Sequence, residues 1–454
     1  MKTALVSSKE IADHRFRFEG NHYLNHYAYL SLQIERRKDK CAKLEDVATC
    51  FNPPVFKRQF CQDTENAVQY FQSSDVPSLE EKSKVFIYKG QAESLKLLVH
   101  KNDILVTGFG TIGNTRLVSR HQEGVCYANN VCRIQATRMS AGLIYAFMSS
   151  KYGAAQLNSN ASGSVVRYIE APGIKRTLIP LFSDIFQKEV DDLMQESARL
   201  REEAVDALEE AKGLIMDFCQ EEYATTRLKR FVSVKIKGVR STLNTRFDPT
   251  IYINKGVQWV KSIQKQSTRL GDLNVKMWYP GIFKRAYVEN GLPYLKGSSV
   301  FDVNPFKTCD HLSKARTPKL DDLWLKEGML LITCAGACGL VKMITKEYED
   351  KGAIGSPDII RLVSNDTLFT TEYIFAYLQL PPIYDYMQSL KYGSVIERFD
   401  IENIKTIPIV RPTEELSQAV TDIVKSYMAK TYRAFNCEEQ AISMVEREIE
   451  RWNK

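Results

Sequence analysis

Two stretches of the chain carry an apolar residue at every seventh position. Phe186, Leu193, Leu200, Ala207 and Leu214 form one such row, and Val190, Ser197, Ala204, Ala211 and Phe218 fill the alternate seam position. About five heptads sustained in this way predict a long helix with a coiled-coil seam. The C-terminal stretch offers Leu416, Val420, Ile423, Tyr427, Ala434, Cys437, Ala441 and Met444 at the same three-four spacing, with a break at Lys430. It is the natural partner, and antiparallel pairing buries both stripes. Elsewhere the pattern is of short apolar runs punctuated by glycine. Lys84 to Tyr88 and Asp103 to Thr107 read as strands, and Leu143 to Leu157 reads as one helix.

The order of these elements repeats. Arg17-Phe18-Glu19 with Tyr23 returns as Arg246-Phe247-Asp248 with Tyr252, and Phe56-Lys57-Arg58 returns as Phe283-Lys284-Arg285. Asp103 to Thr107 returns in character as Gly328 to Thr333, and Tyr145-Ala146-Phe147-Met148 returns as Phe375-Ala376-Tyr377-Leu378. Tyr152-Gly153 and Gly163-Ser164-Val165 are compressed into Tyr392-Gly393-Ser394-Val395. Collinear matches roughly 226 to 231 residues apart indicate a duplication that has diverged. The expected class is α+β: two repeated, strand-rich modules at 1–181 and 230–411, separated by helices at 182–229 and 412–454, with the helices paired as an antiparallel coiled coil under pseudo-twofold symmetry. Each helix follows a proline-terminated strand, Ile179-Pro180 or Ile407-Pro408. Five heptads at 1.5 Å per residue span about 52 Å, roughly one and a half turns of a DNA duplex.

Charge distribution sharpens this picture. The 454 residues carry a formal charge of +7. Between Asp184 and Lys212 ten acidic residues face four basic ones, a balance of −6, so the rest of the chain carries +13. The basic surface therefore belongs to the rest of the chain, and this distribution says more about a polyanionic partner than the modest net charge does. Ten cysteines without a paired CxxC spacing, and only six histidines, give no zinc framework and read as reduced, packed thiols. No leader-like start and no apolar run of 18 residues is present, which points to a cytoplasmic protein without membrane contact.

Two motifs invite a catalytic reading and fail on context. Gly108-Phe109-Gly110-Thr111-Ile112-Gly113 contains GxGxxG after a strand, but Asn114 to Val118 continues as a β-type run rather than the helix that a pyrophosphate cradle needs. A tight turn between two strands explains these glycines, and the repeat keeps Gly336 and Gly339 while placing Cys334 first. Asn52-Pro53-Pro54-Val55 has the form of a base-holding methyltransferase loop, but Val55 stands where an aromatic is needed and no glycine-rich cofactor loop precedes it. No catalytic group, cofactor or metal site is expected. What remains is a set of basic, aromatic and hydroxyl residues at or beside turns, suited to phosphates and base edges: Lys57, Arg58, Thr111, Arg116, Ser164 and Arg167 in the first module, and Lys284, Arg285, Lys342, Lys391, Tyr392, Ser394 and Arg398 in the second.

The ordered set Asp103 to Thr107, Gly110-Thr111-Ile112-Gly113, Tyr145 to Ser150, Gly163-Ser164-Val165 and Ile179-Pro180 resembles the target-recognition domain of type I restriction-modification specificity subunits, and the second unit repeats it. The resemblance covers essentially the whole chain. It implies two modules that each read a half-site of double-stranded DNA, helices that fix the spacer, and docking of two DNA adenine methyltransferase subunits, with motor-nuclease subunits as an optional further partner. Ala337-Cys338 and Glu19 depart from the family pattern, and the diverged modules imply an asymmetric, bipartite target. The competing readings are a DNA-binding component of another defence assembly, or a methyltransferase in its own right.

Overall fold

The computed structural model describes residues 7–13, 26–62, 64–79, 83–163, 167–220, 223, 231–240, 245–297, 299–393, 397–398 and 400–452. Two compact units divide the chain. One comprises Met1–Glu202 with Arg433–Lys454, the other Glu203–Tyr432.

In the first unit the strands are β1 (Cys41–Lys43), β2 (Ala48–Phe51), β3 (Phe60–Cys61), β4 (Ala67–Phe71), β5 (Phe86–Tyr88), β6 (Ile104–Thr107), β7 (Thr115–Leu117), β8 (Cys126–Tyr127), β9 (Val131–Ala136) and β10 (Leu178–Pro180). One sheet has the order β2-β9-β6-β7 and is antiparallel throughout. A second has the order β3-β5-β4-β8, with β4 and β8 parallel. A small antiparallel pair, β1 with β10, leads into the long helix that follows.

The apolar run of β6 is buried at all four positions because a core lies on each of its faces. Ile104 and Val106 pack with Leu143, Phe147 and Ile174, while Leu105 points the other way and packs with Phe71, Val99 and Tyr127.

The second unit repeats this plan with β11 (Ser267–Arg269), β12 (Val275–Trp278), β13 (Tyr287–Leu295), β14 (Asp310–Leu312), β15 (Leu330–Thr333), β16 (Val341–Met343), β17 (Ile354–Gly355), β18 (Ile359–Ser364) and β19 (Pro408–Val410). Its main sheet runs β12-β18-β15-β16, its second sheet β14-β13-β17, and β11 pairs with β19. Leu330 and Ile332 face one core while Leu331 faces the other, so the alternation of β6 recurs in β15. The duplication read from the sequence is thus present in the main sheet and in the strand pair before each long helix, while the second sheet has four strands in the first unit and three in the second. The first elements of the repeat, Arg17 to Glu19 and Tyr23, lie outside the described residues.

One helical expectation is corrected. Leu143 to Leu157 is not a single helix but two, Ala141–Ser149 and Lys151–Asn160. Ser150 has extended backbone, and its hydroxyl accepts the Gly153 amide to cap the second helix. At Gly153 an added Cβ would lie 2.2 Å from the Phe147 carbonyl oxygen, so this sharp joint needs a glycine.

The heptad stretches form continuous helices, Asp184–Cys219 and Glu414–Arg451. Both start in the same way: the Ser183 hydroxyl accepts the Phe186 amide at 3.4 Å, and the Thr413 hydroxyl accepts the Leu416 amide at 3.2 Å. Within the first unit Val190 and Met194 share a core with Ala441, Val445 and Ile449, and the Ser197 hydroxyl donates to the Ala434 carbonyl at 2.7 Å. Within the second, Glu203 meets Lys430 at 3.6 Å, and Ala211, Ile215 and Cys219 share a core with Val420, Val424 and Met428. Numbers rise along one helix as they fall along the other, so the segments are antiparallel in each unit.

The seam itself is shifted from the heptad reading. Val190, Leu200 and Ala204 are buried as expected, but Phe186 and Leu193 are only partly buried, and Leu214 is 36% exposed beside a fully buried Ile215. On the other helix Val420 is buried while Leu416, Ile423 and Tyr427 are partly so, and Val424 and Met428 take the interior. A helix with 3.6 residues per turn drifts about 20° per heptad, so a seven-residue row slides off the buried face. Ile215→Ala is therefore expected to cost about 2–5 kcal/mol in chemical denaturation, whereas Leu214→Ala costs far less. Equal losses would restore the heptad seam.

Candidate nucleic-acid interface

An arginine sits inside an apolar strand in each unit: Arg133 on β9 and Arg361 on β18, both fully buried. Removal of a guanidinium from water demands acceptors in its place, and main-chain carbonyls provide them. From β9, Arg133 donates Nη1 to the carbonyls of Ala128 (3.0 Å) and Val131, and Nη2 to those of Leu97 (3.1 Å) and Tyr127 (2.7 Å). Arg361 donates Nη1 to Ser356 (2.9 Å) and Ile359 (2.5 Å), and Nη2 to Gly355 (2.8 Å). Burial lowers both pKa values to about 10, which leaves each group charged at neutral pH.

This bond set ties the two sheets of a unit together. Tyr127 lies on β8 and Gly355 on β17, so each arginine of the main sheet grips the second sheet. There β8 pairs with β4 through Tyr70↔Cys126, and β17 pairs with β13 through Tyr294↔Ile354. The strands so fixed present Tyr70 and Tyr294, whose rings are almost wholly buried. Each phenol oxygen accepts Nε of an exposed arginine at 2.7 Å: Arg58 on Tyr70, Arg285 on Tyr294. The guanidinium carbons stand 5.7 and 5.6 Å from the respective ring centroids. Among the described residues neither arginine has a carboxylate partner. Two equivalent guanidinium groups are thus held in place by Nε, which leaves their Nη atoms for an external acceptor.

A second grouping surrounds the glycine turn. No helix follows it: β7 does, and the turn is a β-connection as its sequence suggests. The Thr107 hydroxyl donates to the Thr111 carbonyl at 2.5 Å, and Thr333 does the same to Ala337. Beside each turn runs a short antiparallel bridge, Ser162↔Tyr168 in the first unit and Tyr392↔Arg398 in the second. The turn residue that meets the bridge is Phe109 against Tyr168, but Ala335 against Arg398. Phe109 and Tyr168 stack with centroids 5.5 Å apart, each 38% exposed. The second unit shows solvent an exposed guanidinium and Tyr392 there instead. Shared scaffolding therefore carries different chemistry.

Of the thirteen residues singled out for DNA contact, Lys57, Arg58, Thr111, Lys284, Arg285, Tyr392 and Arg398 are exposed. Arg167 is partly buried and donates to the Asn158 carbonyl, and Lys391 is paired with Glu397. Arg116 and Lys342 are corrected: each is only 6% exposed and serves the interior. Arg116 lies on β7, in the middle of a strand, and binds the Gln122 side chain at 2.9 Å and the Ser78 carbonyl. Lys342 on β16 donates to the Val300 carbonyl at 2.8 Å and lies over the Tyr348 ring. Ser164 and Ser394 fall outside the described residues. The sequence reading missed Arg133 and Arg361, although an arginine flanked by apolar residues in Val131-Cys132-Arg133-Ile134 and again in Ile359-Ile360-Arg361-Leu362 was the available signal. It also passed over Tyr70, Tyr294, Phe109 and Tyr168.

The Asn-Pro-Pro loop is structural. The Asn52 amide donates to the Asn129 carbonyl at 3.2 Å, and its oxygen accepts the Ala171 amide at 2.8 Å, so its side chain is committed to the fold. Among the described residues no group of three metal-binding side chains occurs, and no helix is long and apolar enough to cross a membrane.

No protein-family model matches the sequence, and no curated protein matches it. Among solved structures, the S subunit of a type I restriction-modification system from M. genitalium aligns over 90% of this chain and 94% of its own, at 13% identity and a TM-score of 0.34. The HsdS subunit from Thermoanaerobacter tengcongensis aligns over 90% and 95%, at 16% identity and a TM-score of 0.27. The chain is similar to type I specificity subunits. A further chain, from work on complex assembly and conformational transition of the type I R-M system, aligns over 90% and 97% at 15% identity and a TM-score of 0.28.

Two measurements probe the interior of these units. Arg133→Ala strands four carbonyl oxygens, at about 1–3 kcal/mol for each that stays dry, so a loss of at least ~3 kcal/mol is expected in urea unfolding. Arg133→Lys recovers only part of it, because one ammonium cannot span the fork; a neutral Arg133→Ala would dissolve the relay. Near Lys342, burial pushes the Asp302 carboxyl up to about 7 despite the ammonium beside it. The folded state then holds a proton that the unfolded chain releases near pH 4, so stability should fall as pH rises from about 4 to 7. Asp302→Asn should flatten that fall in a pH series of denaturation midpoints, and an unchanged slope would assign it elsewhere.

Proposed function

We propose that this chain is the DNA-reading specificity subunit of a type I restriction-modification system. It recognises an asymmetric, bipartite target in double-stranded DNA, with the modules at 1–181 and 230–411 as readers and the helices at 182–229 and 412–454 as spacer. It docks two DNA adenine methyltransferase subunits, with motor-nuclease subunits as an optional addition, and acts in the cytoplasm. Chemistry resides in those partners, and this chain uses no cofactor.

The observation that carries this reading is the duplicated, pre-positioned guanidinium. Arg58 and Arg285 occupy the same place in two independently built units, are pinned through Nε to a buried phenol, and keep Lys57 and Lys284 beside them. Pinning removes rotamer entropy before binding, which favours a phosphate contact over a freely solvated charge. Two such sites, in units whose glycine turns differ as Phe109/Tyr168 differs from Ala335/Arg398, fit two unlike half-sites of one duplex.

The complex with its methyltransferase subunits should bind duplex DNA with a steep salt dependence. Replacement of Arg58 or Arg285 by alanine should weaken binding and lower the log–log salt slope by about 1 each. Unchanged affinity and slope for both variants would take these residues out of the interface.

A further inference from the structure

The residue just before each Phe-Lys-Arg tripeptide is apolar and projects into solvent. Val55 is 89% exposed and Ile282 is 93% exposed, the second being the most exposed large apolar side chain among those described in the protein. Single exposed apolar residues are ordinary. A matched pair at equivalent positions of a diverged duplication is not, because the loop residues beside them differ, Asn52 against Tyr279 and Pro54 against Gly281, around a proline that both keep at Pro53 and Pro280.

Anchors follow both side chains and, in the first unit, also precede the tip. Immediately after them Phe56 and Phe283 turn inward, packing on the clusters that contain Tyr70 and Tyr294. Two residues further on, Arg58 and Arg285 fold back onto those same tyrosines. In the first unit Gln91 also clamps the loop, donating to the Lys57 carbonyl at 2.9 Å and accepting the Gln59 amide at 3.2 Å. Before the tip, Asn52 is bonded to Asn129 and Ala171. Solvent alone gives no reason to hold an aliphatic side chain out on a braced loop just ahead of two cations.

From this we infer that Val55 and Ile282 are base-contacting tips: each enters a groove of the duplex and meets apolar base surface, a thymine methyl or an opened base step, while the adjoining Lys-Arg pair sits on the flanking phosphates. The inference rests on the proposed DNA-reading function and assigns the division of labour within it. The cations supply affinity common to all sequences; the aliphatic tips supply discrimination. Branched aliphatic side chains suit this role because they present methyl groups with little rotamer freedom to lose.

The test uses the full complex with its methyltransferase partners, and two duplexes: one carrying the target mapped for the wild type, the other the same composition scrambled. Dissociation constants are measured across a salt series for the wild type, Val55→Ala and Ile282→Ala, with Arg58→Ala alongside. At such exposure the alanine variants keep the wild-type melting temperature. Binding to the target should weaken roughly tenfold for each tip variant, the scale of one buried aliphatic side chain. Scrambled-duplex affinity and salt slope should hold, and base preference should relax in one half-site only, a different one for each variant. A tip variant with unaltered target affinity and preference, or one that lowers the salt slope as Arg58→Ala does, overturns the assignment while leaving DNA reading intact. A wild-type complex that binds neither duplex overturns both.

Discussion

A guanidinium that has left water must find oxygen atoms to replace it, and among the described residues those that accept from Arg133 and Arg361 are main-chain carbonyls of the fold itself. That requirement fixes where the second sheet can sit relative to the first. Movement of β8 or β17 by an ångström would take one acceptor from a buried charge, at a cost above that of a lost neutral hydrogen bond. The rest of the unit follows from the constraint: β8 fixes β4, β4 presents Tyr70, and Tyr70 holds Arg58. In the second unit β17, β13, Tyr294 and Arg285 repeat the series. One buried cation is thereby coupled, through a strand pair and a phenol, to one exposed cation on the surface.

This arrangement lets the turns of duplicated modules diverge while the interior that supports them stays alike. The interior relay follows the same course in both units, from four carbonyls in one and three in the other to the same 2.7 Å bond between Nε and the phenol. The surfaces beside it are not. Stacked rings occupy the glycine turn of the first unit, and a guanidinium with a tyrosine occupies that of the second. A scaffold with a rigid interior and replaceable turns suits the proposed reading of two unlike half-sites.

Much of this was legible in the chain. The duplication, the strands at Ile104 and Leu330, the glycine turns and the two long helices all leave local patterns, because each depends on residues close together in sequence. What was not legible depends on tertiary partners. Arg116 and Lys342 look like surface charges until the strands on either side are in place, and only the fold shows that Gln122 and Val300 receive them. Arg133 and Arg361 were passed over for the converse reason: a charge within an apolar strand reads as an interruption unless its carbonyl cage is known. The helix break at Ser150 and the shift of the seam from Leu214 to Ile215 reflect packing geometry that a seven-residue period cannot encode.

The central claim is that two unlike readers on one chain select a single site in DNA for a partner's chemistry. Its most direct test is to co-express the chain with its methyltransferase subunits and map every methylated adenine in the host DNA. The account predicts one target made of two different short sequences at a fixed separation, and no methylation when either protein is expressed alone. A contiguous or palindromic target, or methyl transfer by this chain unaided, would contradict it.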